Sequence, residues 1–79
     1  MTGSSFSSTL GAEVRARRTS LSLSQQDVAD LAGVSERFVR FVESGKPTIQ
    51  LEPLLALLST LGLELSVVHA ASPASTATP

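Results

Sequence analysis

Cysteine is absent from this 79-residue chain, so there is no disulfide framework, no thiolate nucleophile and no sulfur-ligated metal centre. Tryptophan and tyrosine are absent as well, and His69 is the single histidine. The seven carboxylates are spread along the chain rather than grouped. Without clustered acids, bases and nucleophiles the chain is not expected to be an enzyme, and no cofactor or metal is expected. Long hydrophobic runs are missing too: the longest, Leu54–Leu58, spans five residues, against the roughly 20 that a bilayer span needs. No basic stretch leads into an apolar one at the start, so neither membrane insertion nor export is expected and the chain is assigned to the cytoplasm.

What remains is a chain sized for a single domain with one modest core. Its net charge is only −1, but all six basic residues (Arg15, Arg17, Arg18, Arg37, Arg40 and Lys46) fall within residues 15–46. Only Asp27, Asp30, Glu36 and Glu43 oppose them there, which leaves that window net positive in an otherwise acidic chain. Residues 1–8 and 70–79 are small and polar, and are read as disordered tails flanking a domain at 9–69.

The expected fold is all-α, with four helices and a short C-terminal strand. The first helix is expected over Thr9–Thr19, with Leu10 and Val14 inward and arginines near its C-terminus, where cations suit the helix dipole. Leu21 and Leu23 should then enter the core. Ser24 followed by Asp27 is a capping-box variant opening a helix Gln25–Ala32 whose inner face is Val28, Ala29, Leu31 and Ala32. Gly33 ends it, Ser35 caps a third helix Glu36–Glu43, and Gly45 with Pro47 closes that one. Two short helices across a Gly-Val-Ser turn have the layout of a helix-turn-helix.

At 100° per residue the third helix divides into two faces. With Glu36 at about 0°, Arg40, Arg37 and Phe41 lie near 40°, 100° and 140°, whereas Phe38, Val42 and Val39 lie at about 200° to 300°. Such a polar face is either solvated or a reading surface. The context favours reading: Leu23 to Ala32 (LSQQDVADLA) followed by Gly33 to Lys46 (GVSERFVRFVESGK) resembles the helix-turn-helix of the lambda-repressor-like (Cro/CI, XRE-type) family. The matching features are Gln25, Ala29, Gly33, Val39, Val42 and the Glu43, Gly45, Lys46 ending. That resemblance implies a sequence-specific DNA-binding repressor associated with the nucleoid, with an Arg18–Glu43 pair as scaffold. Base contacts fall to Ser35, Glu36, Arg37, Arg40 and Phe41, and phosphate contacts to Gln25, Gln26 and Lys46. Phe41 departs from the polar residue often found there. A thymine methyl contact, packing against Pro47–Ile49 and a protein partner are all open for it.

The fourth helix carries leucines over a wide arc, more than a small monomeric core should require, with Pro53 tolerated in its first turn. Beyond it, Leu63, Leu65 and Val67 alternate with Glu64 and Ser66, a strand period with no second strand in the chain to pair with. A homodimer follows, its interface drawn from Leu54, Leu58, Leu61, Leu63, Leu65 and Val67, with the strand paired across a twofold axis. Lys46 to Val68 (KPTIQLEPLLALLSTLGLELSVV) is similar to the end of HipB-like antitoxin regulators. It implies an antitoxin that represses its own operon and neutralises a HipA-like kinase toxin. A stand-alone repressor and an interaction module without DNA binding are the alternatives. The C-terminal tail is either a partner-binding or protease-entry segment, or an overhang.

Overall fold

Four helices, α1 (Gly3–Ser20), α2 (Gln25–Ala32), α3 (Glu36–Glu43) and α4 (Leu51–Thr60), make up the regular structure of a computed structural model that describes residues 3–70, with side-chain surroundings from residue 6 onward. Residues 1, 2 and 71–79, and with them most of the expected C-terminal tail, lie outside the described residues. Helix α1 starts six residues before the expected Thr9, so positions 3–8 are helical rather than a tail. The reason lies in its buried side: Ser7, Leu10, Gly11 and Val14 recur at helical spacing and extend the inward stripe back into the serine-rich segment.

The core is built from Leu10 and Val14 of α1, Val28 and Ala29 of α2, Val39 and Val42 of α3, and Leu54, Leu57 and Leu58 of α4 with Leu61 just beyond it. Leu23, Val34, Phe38, Ile49 and Leu63 pack against its edge. Three expected core residues do not join: Leu31, Leu21 and Ala32, the last half-buried at the end of α2. Leu31 is 67% exposed, because α2 turns Val28 and Ala29 inward and a residue two or three positions on lies about 110° from their mean direction. Leu21 is also exposed, lying in the turn after α1, where Ser22 takes a left-handed φ of 59°.

The α2 boundaries form as expected. Ser24 accepts a hydrogen bond from the Asp27 N–H (2.9 Å), and the Ser24 N–H donates to the Asp27 carboxylate (3.0 Å), which closes the capping box. Gly33 terminates the helix at φ 74°, in the left-handed region that glycine enters without a Cβ penalty, and its N–H and that of Val34 both donate to the Ala29 carbonyl. Ser35 opens α3 by accepting from the Phe38 N–H at 3.0 Å.

The wide leucine arc of α4 is mostly consumed by the chain itself. Leu54, Leu58 and Leu61, expected at a dimer interface, are 5%, 3% and 1% exposed, and so belong to the monomer core. Leu51 and Leu55 remain on the surface. Residues 63–70 have no regular secondary structure within the single chain. No described helix is long and apolar enough to cross a membrane.

Candidate nucleic-acid interface

Helix α3 is fixed at its far end by a polar cluster reaching three helices. Arg18 of α1 meets Glu43 with two hydrogen bonds, Nε to Oε2 at 2.6 Å and Nη2 to Oε1 at 3.0 Å, and its Nη1 donates to the Leu23 carbonyl at 2.9 Å. Their side chains are only 12% and 5% exposed. The Gln25 side-chain amide, at the start of α2, donates to Glu43 Oε1 at 3.0 Å. Burial pushes the Glu43 carboxyl up, but the hydrogen bonds from Arg18 and Gln25 and the charges of Arg18 and Arg15 outweigh it and leave it below the usual range. The same hydrogen bond to Glu43 raises Arg18 despite its burial. The bidentate geometry is the one a guanidinium fork and a carboxylate favour.

With that end locked, the opposite face of α3 stands open. Arg37 and Arg40 are exposed, and Glu36 and Phe41 are half-buried. Arg40 reaches back to Glu36, Nη1 to Oε2 at 3.5 Å, an exposed one-turn pair that contributes little to stability and leaves both side chains able to move. Arg37 forms no ion pair among the described residues. The Ser35 oxygen caps the helix, which leaves its hydroxyl hydrogen free to donate outward. Ser35, Glu36, Arg37, Arg40 and Phe41 thus share one side of α3 and its approach.

The residues expected at phosphates divide. Lys46 is exposed beyond the end of α3. Gln26 is exposed and donates to Asp30 at 2.9 Å, one turn along its own helix. Gln25 is half-buried and has committed one amide hydrogen to Glu43, so it joins the scaffold as well as the helix start.

Phe41 lines a cavity of about 300 Å³ with Ser35, Arg37, Phe38, Thr48 and Gln50. Thr48 and Gln50 had no sequence signal that places them there: a threonine held at φ 64° in the loop before α4 leaves no mark on hydrophobic periodicity. Arg17, expected only where cations suit the dipole of α1, also reaches α4: its Nε donates to the Leu61 carbonyl at 2.7 Å, a cation closing the C-terminal end of that helix.

A pair of short helices meeting at a left-handed glycine, the second clamped at its end and bare along a cationic face, defines a helix-turn-helix. The Helix-turn-helix family model matches residues 14–68, and the chain belongs to that family. It is 41% identical over 59 residues to the uncharacterized HTH-type transcriptional regulator y4mF of Sinorhizobium fredii, covering 75% of this chain and 78% of that protein. It is 39% identical over 56 residues to an uncharacterized HTH-type transcriptional regulator of Haemophilus influenzae, covering 71% of this chain and 57% of that one.

Proposed function

We infer that the chain is a sequence-specific DNA-binding transcriptional regulator. The observation that carries this reading is the division of labour on α3: Glu43 is locked to Arg18 and Gln25, while Arg37 projects from the open face with no ion-pair partner among the described residues. A rigid helix with an uncommitted guanidinium suits major-groove readout, with Arg37 on a guanine edge, Ser35, Glu36 and Arg40 beside it, and Gln25, Gln26 and Lys46 on the backbone. The names carried by both relatives agree with it. Selection of duplexes from a random library, followed by electrophoretic shifts of the winner and a scrambled duplex at the same salt, tests it. The expected result is a preference of at least 10³ for the winner. Equal binding to both defeats the reading.

The regulator acts as a homodimer in this proposal. Leu55, Leu63 and Leu65 line one surface groove, and with exposed Val67 and Val68 they make residues 63–68 an apolar strip of chain. Pairing of residues 63–67 with the same segment of a second copy covers that strip and supplies backbone partners for residues 64–67, which have none among the described residues, whereas the Leu63 N–H already donates to the Leu58 carbonyl. A finer proposal, that the dimer is an autorepressing antitoxin for a HipA-like kinase, rests on the likeness of residues 46–68 to HipB-like regulators. Co-expression with the product of the adjacent gene and capture of that product support it; failure of capture leaves a stand-alone repressor.

A further inference from the structure

Between α3 and the loop that follows it, two aromatic side chains and a threonine form an apolar recess on the flank of the reading helix. Phe38 and Phe41 are both half-buried, and Thr48 faces them across a cavity of about 300 Å³ whose rim carries Ser35, Arg37 and Gln50. Phe38 has part of its surface on the core; Phe41, about 60° further round the helix, does not belong to the core cluster. Thr48 is held at φ 64°, a conformation that costs a β-branched residue energy, and glycine would fit there without strain. Gln50 precedes the first turn of α4, yet its side chain makes no capping bond and stays at the rim.

We propose that this recess takes the 5-methyl group of a pyrimidine, normally thymine, neighbouring the guanine that Arg37 reads. The inference rests on the DNA-reading function proposed above and extends it to a second base position. In the major groove a methyl is the one apolar feature that base pairs display, and aromatic side chains are among the groups that contact it. The rim carries one cation, Arg37, two neutral polar side chains and no carboxylate, which suits an anionic partner such as duplex DNA better than an apolar peptide. Arg37 sits one turn before Phe41, so a guanidinium on one base and an aromatic wall on the next fall on the same side of α3. Phe41 and Thr48 are specificity-determining residues in this account, and the methyl is their target.

The test uses the full chain and the duplex selected from the random library. Each thymine is replaced singly by deoxyuridine, which deletes the methyl and keeps every hydrogen-bonding atom. One thymine per half-site should be sensitive, with affinity falling about fourfold on loss of its methyl. At that position 5-methylcytosine should bind about fourfold tighter than cytosine, which separates the methyl from the rest of the thymine edge. In Phe41→Ala the thymine-to-uracil ratio should fall to about one. Thr48→Gly, which opens the recess while relieving backbone strain, should lower the same ratio and serves as the readout if Phe41→Ala does not fold. Uracil tolerated throughout a duplex that still beats scrambled DNA overturns the inference and leaves the DNA-reading function standing. A sensitive thymine whose ratio is unchanged in both variants overturns it too, since the methyl then lies elsewhere. Absence of any sequence preference removes the underlying reading as well.

Discussion

Arg18 and Glu43, 25 positions apart in sequence, close a two-bond bridge between α1 and the last turn of α3, and Gln25 joins it from α2. Removing either charge strands the other in a site that is about nine-tenths shielded. Arg18→Ala and Glu43→Ala should each cost about 3 kcal/mol, or a fall in Tm of about 12–24 °C for a domain this size. Thermal melts followed by circular dichroism check this, and the double variant should cost far less than the two singles added. Additive losses would mean that the bridge is not the source.

Acid should unfold the protein through the same bridge. The Glu43 carboxyl is held below its ordinary range, chiefly by Arg18 and Gln25 overcoming burial, and that of exposed Asp27 is lowered by its backbone and side-chain hydrogen bonds with Ser24. A depressed carboxyl contributes stability that is full above its unfolded pKa and disappears as pH falls through the folded one. Urea midpoints should therefore be flat near neutrality and decline below about pH 4.3, the ordinary value for glutamate. In Glu43→Gln the decline should be shallower. An unchanged slope in that variant would assign the acid sensitivity to other groups.

Gly11 sits mid-helix in α1, where alanine ordinarily gains about 1 kcal/mol. Here a Cβ would lie 2.4 Å from the Val42 carbonyl oxygen and 3.1 Å from that of Glu43. Backbone atoms cannot step aside as a flexible side chain can, so Gly11→Ala should destabilise by about 1–3 kcal/mol in spite of its helix propensity. A melt that rises instead would show that α1 and α3 can move apart.

For recognition, Arg37→Ala should cost about 1–3 kcal/mol on the selected duplex and relax the preference at one base pair. Lys46→Ala should weaken selected and scrambled duplexes alike and lower the salt slope by about one. Fluorescence anisotropy across a salt series measures both. Equal losses on the two duplexes for Arg37→Ala would make it a phosphate clamp.

Ending the chain after Gly62 removes Leu63, Leu65 and Val67 but none of the ten buried hydrophobic core residues. The shortened protein should stay helical and become monomeric by light scattering, with operator binding weakened at least tenfold through loss of the second half-site. A truncated dimer of full affinity would move the interface elsewhere.

Capping signals carried the middle of the fold. Ser24 with Asp27, Gly33, and Ser35 bounded α2 and α3 residue by residue because each satisfies a specific backbone group that the sequence makes visible. Periodicity placed Val39 and Val42 inward for the same local reason. It failed where tertiary geometry decides. Gly11 reads as a helix-weakening residue until α3 lies against it, and residues 1–8 read as a tail until the inward stripe of α1 is extended through Ser7. The leucines of α4 signalled burial correctly but not the surface they are buried against, since a hydrophobic arc is the same facing its own core or a second copy. Arg37 and Arg40 were legible as an exposed basic face; the recess at Phe41 was not, because half of its wall comes from a loop with no periodicity.

Helix α1 touches α3 backbone to backbone at Gly11, holds α3 and the approach to α2 through Arg18, and holds the end of α4 through Arg17. It works as a strut with three welds, so a displacement at the α4 end reaches α3 as rotation of one stiff body rather than as bending. In the proposed dimer the two reading helices then behave as the jaws of a fixed caliper: an operator with one base pair added or removed between its half-sites is met by misfit at the jaws instead of accommodation by the frame.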